Sequence, residues 1–230
     1  MPLIVLWDID HTLIENAGIS KEIYAAAFTE LAGEPPLRPA RTEGRTDRRI
    51  LADMFRDHDA EPPTWERVLP ALERAGAGRE EDLRTRGHEL PGARAALKAV
   101  AAERGMVSSV LTGNIAANAR VKLGAFGLDS LLDMAVGGYG ADSEHRADLV
   151  AFARQRVLAA YDLPFRTPVV LVGDTPRDVE AALASGSGVV AVASGTDSAE
   201  ALRHAGAETV LPDLLELDAL MRYLAGRSSA

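Results

Sequence analysis

The chain has 230 residues, 47% hydrophobic and 26% charged, with 25 Lys+Arg against 34 Asp+Glu for a formal net charge of −9. At roughly 150 residues per domain that is one large domain or a core carrying a smaller insert, and the composition excludes disorder and fibrous repeats. The acidic balance disfavours nucleic acid and other polyanions as partners, and the absence of cysteine excludes disulfides and thiolate sites, so any metal must be held by oxygen or imidazole.

The first apolar run, residues 3–9, reads as a buried strand that meets Asp8 and Asp10 at its end. No stretch approaches the roughly 20 apolar residues that span a bilayer, and no signal peptide can be drawn before the first strand. A cytoplasmic protein with no membrane partner is therefore expected. Residues 15–88 contain no convincing strand but carry amphipathic pieces at 19–31, 47–55 and 65–75, separated by Pro35, Pro36, Pro39, Pro62 and Pro63. Beyond them, predicted helices at 93–102, 116–123, 149–158, 179–184 and 199–205 alternate with predicted strands at 106–111, 134–136, 169–172, 189–193 and 209–211. Such alternation predicts an α/β, Rossmann-like three-layer core with a parallel sheet, built from 1–14 and 89–230. Residues 15–88 are then an inserted α-helical cap over the carboxyl ends of the strands, where open α/β sheets bind ligands.

Side chains alternate along a strand, so Asp8 and Asp10 point the same way while Ile9 packs to the other side. Two carboxylates forced together favour a cation between them, and hard oxygen ligands suit Mg²⁺. A second acidic pair, Asp174 and Asp178, follows the strand at 169–172 with Pro176 opening a helix. The strand at 106–111 ends in Thr112-Gly113-Asn114, a hydroxyl and backbone N–H groups at a helix start that can cradle an anion. Each piece alone admits a simpler reading as a cap or turn. Three strand ends carrying acids and an anion cradle are harder to attribute to turns.

The set Asp8-Ile9-Asp10-His11-Thr12-Leu13, Leu111-Thr112-Gly113-Asn114 and Gly173-Asp174-Thr175-Pro176-Arg177-Asp178 resembles the haloacid dehalogenase superfamily, in its phosphatase branch with a helical cap. The resemblance covers essentially the whole chain. It implies that Asp8 is a nucleophile forming an aspartyl phosphate and that Asp10 is the acid for the leaving alcohol and then the base for water. It further implies that Thr112 holds phosphate oxygens, with Thr12, Gly113 and Asn114 in substrate binding. Mg²⁺ would lie among Asp8, Asp174 and the Asp10 backbone carbonyl, supported by Asp178. The lysine usual before the last motif is missing. Lys122, the only lysine between the second motif and Asp174, is expected well inside the helix after Thr112, so Arg146 is the expected substitute and His145 the alternative.

In the insert, Arg38, Arg41, Arg45, Arg48 and Arg49 face only Glu43 and Asp47, a local balance of 5 − 2 = +3. The stretch Gly44-Arg45-Thr46-Asp47 resembles the specificity loop of helical caps, with Arg45 and then Arg48 the candidates for an anionic group on the substrate. His11 is expected to line the entrance. The resemblance implies a Mg²⁺-dependent phosphatase for a small phosphate ester, with phosphoglycolate phosphatases the most similar members. A phosphomutase of the β-phosphoglucomutase kind shares every motif, and a silent binding protein on this fold is the remaining alternative.

Overall fold

The computed structural model describes residues 1–228. Strand β1 (Leu3–Trp7) is buried at every position, as a parallel strand covered on both faces must be. After β2 (Ile14–Glu15) come the helices of the insert, α1 (Ile19–Ala32), α2 (Asp47–Arg56), α3 (Trp65–Gly76) and α4 (Glu80–Arg86), and the chain returns through β3 (His88–Glu89). Strands β2 and β3 pair antiparallel, so the expected boundaries of the insert fall inside a short ribbon through which the chain leaves and re-enters the core. The rest alternates: α5 (Ala93–Ala102), β4 (Met106–Thr112), α6 (Ala116–Gly124), β5 (Gly138–Tyr139), α7 (Arg146–Tyr161), β6 (Val169–Gly173), α8 (Pro176–Ala184), β7 (Gly188–Val192), α9 (Ala199–His204), β8 (Thr209–Leu211) and α10 (Leu217–Ser228).

Six strands form one parallel sheet in the order β5-β4-β1-β6-β7-β8. The order reverses about β1, which makes the carboxyl end of β1 the switch point where such sheets bind ligands. Trp7 is level with both Val110 and Val172, so the segments after β1, β4 and β6 emerge side by side. Alternation along β1 splits the core in two. Leu3, Val5 and Trp7 pack with residues of α5 and α10 on one face, while Ile4 and Leu6 pack with residues of α7 and α8 on the other. The insert has its own core, in which Ile23, Ala27 and Phe28 of α1 meet Ile50 and Phe55 of α2 and Leu72 of α3, and Ile115 and Ala125 join it from the sheet domain.

Two sequence expectations need correction. The fifth strand lies at Gly138–Tyr139, not at 134–136: Met134 and Val136 are buried core side chains, but apolar character does not determine which backbone pairs with β4. The insert also begins and ends in strand, although two-residue segments carry too little alternation to be read. Helix α4 was not expected because it buries only Leu83, and α10 because it buries only Leu220 and Leu224. No helix among the described residues is long and apolar enough to cross a membrane.

Candidate active site

Asp8 and Asp10 follow β1 and both line one cavity of about 170 Å³, while Ile9 between them is buried in the core. Thr112, Gly113 and Asn114 at the end of β4, Asp174 after β6 and Arg146 at the start of α7 line the same cavity. Thr175 caps α8 in a reciprocal box with Asp178. One Asp178 oxygen thereby accepts from the Thr175 backbone at 3.1 Å and its hydroxyl at 2.6 Å. The other accepts from Arg146 Nε at 2.9 Å and Nη2 at 2.5 Å. The capping role and the site role of Asp178 are thus served by different oxygens. Nη2 of Arg146 also lies 3.0 Å from Asp8, so the guanidinium bridges Asp8 and Asp178. His145 is exposed and is not among the residues lining this cavity.

Asp8, Asp174 and Asp178 are buried, with one carboxylate oxygen of each within 4.8 Å of the others. Three carboxylates against one guanidinium leave a local charge of −3 + 1 = −2. Burial pushes the Asp8 carboxyl up to about 6, with Arg146 opposing and Asp178 and Asp10 adding to the rise. Asp174 is pushed well above the usual range by burial and then by Asp8. Burial also opposes the charge on Arg146, but Asp178 and Asp8 outweigh it and hold the guanidinium protonated more firmly than usual. Hard oxygens with two uncompensated negative charges fit a divalent cation.

Thr12 is fully buried and donates to Asp174 at 3.1 Å. It does not line the cavity, and its hydroxyl is spent on orienting the Asp174 carboxylate. Thr112 Oγ1 accepts from the Asn114 backbone at 3.2 Å and side chain at 2.7 Å, leaving its own O–H proton for a ligand oxygen. The Asn114 amide is engaged by the chain itself, since Nδ2 also donates to Asp10 at 2.8 Å and Oδ1 accepts from Lys122 at 2.6 Å. Asn114 therefore holds Asp10 and Thr112 in place.

The sequence reading missed Lys122. It lies on α6 but its ammonium reaches Asp10 at 2.9 and 2.6 Å. The signal was its place on the helix face shared with buried Ala119 and Leu123, where a charge is unexpected without a partner. Burial pushes the Asp10 carboxyl up, but Lys122, Asn114 and Asn16 more than offset this and hold it below its ordinary value.

The insert closes over the site through the loop before α2. Gly44 has φ +60°, and a side chain there would run into Thr175 Oγ1 at 2.6 Å. A side chain on Gly113 would strike the Arg45 carbonyl at 1.9 Å, so both loops depend on glycine to approach this closely. Asp47 N donates to Gly113 O at 2.8 Å and Ile115 N to Asp47 Oδ2 at 2.7 Å. Tyr24 donates to the other Asp47 oxygen at 2.5 Å. Burial pushes Asp47 up to about 6, against the pull of these two donors.

Arg45 lines the cavity while bonding Asp53 at 2.8 Å. Arg48 does not line it: Nε donates to the Ala141 carbonyl at 2.7 Å and the guanidinium lies 4.3 Å from the Trp65 ring centroid. A core carbonyl and the Trp65 ring thus engage Arg48 outside the cavity. Much of the local positive charge is paired within the insert. Asp57 pairs with Arg41, and Asp53 with Arg45, Arg49 and Arg56. His11 lines the cavity in a left-handed conformation, φ 61°, and meets Glu15 at 2.9 Å.

The fold is a parallel α/β sheet whose switch point gathers three buried carboxylates under a helical insert. The haloacid dehalogenase-like hydrolase family matches residues 5–183, and the chain belongs to that family. No match was found among curated proteins. Among solved structures it is similar to a predicted phosphatase from Clostridium acetobutylicum at TM-score 0.68 and 15% identity, covering 97% of this chain and 100% of that one. A hydrolase from Pseudomonas syringae gives TM-score 0.67 at 21% identity, covering 97% and 99%. A predicted phosphoglycolate phosphatase from Haemophilus somnus 129pt gives TM-score 0.63 at 19% identity, covering 97% and 98%. At these identities the likeness is one of fold.

Proposed function

We propose that the protein is a divalent-metal-dependent phosphatase acting on a small phosphate monoester through an aspartyl phosphate on Asp8. The observation that carries the reading is the buried cluster of Asp8, Asp174 and Asp178, in which Arg146 bridges Asp8 and Asp178 while Asp8 and Asp174 share one small cavity with Asp10 and Thr112. Asp8 attacks phosphorus, the ester P–O bond breaks, and the alcohol leaves with a proton from Asp10. Asp10 rests as the carboxylate beside Lys122, and the arriving phosphoryl dianion favours its taking up a proton from solvent, which it passes to the leaving oxygen as the P–O bond breaks. Asp10 then takes a proton from water, whose oxygen attacks the aspartyl phosphate and releases inorganic phosphate. Thr112 donates to a phosphoryl oxygen, and Arg146 keeps Asp8 ionised and aimed. A divalent metal, Mg²⁺ by its preference for hard oxygens, would be held by Asp8, Asp174 and the Asp10 carbonyl and would neutralise phosphoryl charge.

The cavity volume favours a short leaving group, and Arg45 at its wall favours one bearing an anion, as in a phosphoglycolate-like ester. The test is phosphate release from a panel of esters. D8N should lose several orders of magnitude of turnover, while D10N should still phosphorylate Asp8 from aryl esters, whose leaving groups need little protonation. More than a few per cent of wild-type turnover in D8N refutes the mechanism. Transfer of the phosphoryl group to a second hydroxyl without phosphate release would instead identify a phosphomutase.

A further inference from the structure

A lysine ammonium is rarely buried without partners, and Lys122 is 1% exposed. Its three N–H donors meet four oxygens: Asp10 Oδ1 at 2.9 Å, Asp10 Oδ2 at 2.6 Å, Ser20 Oγ at 2.7 Å and Asn114 Oδ1 at 2.6 Å. The Asp10 carboxylate takes two further donors, Asn16 Nδ2 on Oδ1 at 2.7 Å and Asn114 Nδ2 on Oδ2 at 2.8 Å. Lys122 and Asn114 belong to the sheet domain. Ser20 is the second residue of α1 in the insert, and Asn16 lies between β2 and α1. Asp10 is thus gripped from both sides of the ribbon that joins insert to core, and Lys122 is the group that touches Asp10, the insert and the loop carrying Thr112.

We infer that Lys122 is a positioning residue that fixes the orientation of Asp10 and, through Ser20, ties that orientation to the seating of the helical insert on the core. The inference rests on the phosphatase reading, in which Asp10 handles the leaving-group proton. Lys122 is not among the residues lining the cavity and its donors are fully engaged, so it acts on the reaction through Asp10. The carboxylate is 104 residues from Asn114 and 112 from Lys122 in sequence. Asn114 and Lys122 hold it from the core while Asn16 and Ser20 reach it and its lysine from the start of the insert, so its angle toward the cavity depends on how insert and core meet. When α1 shifts, Ser20 withdraws from the ammonium, and the ammonium no longer pins both carboxylate oxygens at once. Proton transfer needs heavy atoms about 2.6–3.2 Å apart, so a small rotation of Asp10 removes it from reach of the leaving oxygen.

The experiment compares the single-turnover rate of Asp8 phosphorylation by ethyl phosphate, whose alkoxide must be protonated, with that by p-nitrophenyl phosphate, whose leaving group needs little help; hydrolysis of the phosphoenzyme, which also uses Asp10, is common to both and is left out of the comparison. In K122M, whose side chain has similar length without the charge, the phosphorylation rate with ethyl phosphate should fall about 10²-fold or more, the scale of one positioned acid–base group. The phosphorylation rate with p-nitrophenyl phosphate should change by less than about 5-fold, with the concentration for half-maximal rate nearly constant for both esters. S20A keeps the lysine and removes only its partner in the insert. It should lower the ethyl-to-aryl ratio about 3-fold at unchanged Tm. Equal loss on the two esters in K122M, or no loss on either, overturns the inference and leaves Lys122 a structural residue. If K122M does not fold, S20A decides, and an unchanged ratio there overturns it. A wild-type protein that releases phosphate from neither ester brings down the phosphatase reading and the inference with it, which separates that failure from the other.

Discussion

Replacing Arg146 by alanine tests the charge arrangement of the site most directly. The guanidinium is the cation that bridges Asp8 and Asp178, at 3.0 and 2.5 Å, and it is 8% exposed. Removing it takes the local balance of the carboxylate cluster from −2 to −3. Removing one partner of a buried pair costs about 3–5 kcal/mol. Asp8 already sits at about 6 and can take up a proton, so the loss in R146A should be near the lower end, about 3 kcal/mol at neutral pH. It should shrink as the pH falls and Asp8 protonates. In catalysis one preorganised electrostatic stabiliser is lost, which corresponds to about 10²–10³-fold in kcat. R146K should recover part of this, because an ammonium can meet one carboxylate but cannot bridge two with a planar fork. Urea unfolding with and without chelator measures the first quantity, and kcat at saturating metal the second. A folded R146A within about 3-fold of wild-type kcat would refute the assignment, and a crippled H145A beside it would transfer the role to His145.

Chelator should abolish activity and Mg²⁺ restore it, while Ca²⁺ should inhibit because its looser coordination spoils the attack geometry; full activity in excess chelator would exclude the metal. Metal should also stabilise the folded chain, by about 2.7 kcal/mol at a hundredfold excess over Kd, read as a shift in urea midpoint that D174N removes. Asp47 is pushed up to about 6 from an ordinary 3.8, so the folded state binds its proton more tightly than the unfolded state does. That contribution to stability is full below about pH 4, the ordinary carboxyl value, and is lost as the pH rises from there through about 6, roughly 3 kcal/mol in all. D47N should flatten this descent relative to wild type, and an identical slope in urea midpoints would show that Asp47 is not its source. R45A should raise KM for an anionic substrate and leave p-nitrophenyl phosphate nearly unchanged, whereas equal loss on both would mean that the Arg45–Asp53 pair only holds the loop.

What the sequence made legible followed from burial on two faces. Strands β1 and β6 are unbroken apolar runs because helices cover the sheet on both sides, and the amphipathic α2 and α3 declare themselves by one buried stripe. Where little is buried, little was written. Helix α4 presents Leu83 alone, and β2 and β3 have two residues each, so their pairing depends on the fold bringing Ile14 opposite Glu89. Strand β5 was misplaced by a few residues because Met134 and Val136 fill the core while Gly138, with no side chain to reveal it, makes the ladder contact with Leu111.

The site divides along a different line. Its acids could be placed because each stands at a strand end, and a strand end is a local property: Asp8 and Asp10 after β1 and Asp174 after β6 needed only the runs before them. Its cations could not be placed this way, because a positive charge is assigned by the carboxylate it meets, and those partners are remote. Arg146 reaches Asp178 across 32 residues and Lys122 reaches Asp10 across 112. Counting lysines between motifs led to Arg146, since a bridging cation was required and no lysine stood near the start of α7. The same count set Lys122 aside for its distance along α6, when its register was the informative property: residues 119, 122 and 123 share the buried face, and a charge there must find a buried anion. The arginines of the insert make the converse point. A window that ended at Arg49 counted an excess of positive charge, yet Asp53 lies on the next turn of the same helix and pairs with Arg45 and Arg49 from within it. What remains facing the cavity is Arg45, half shared with Asp53, so recognition of an anionic leaving group depends on whether the substrate can compete with that carboxylate for one guanidinium.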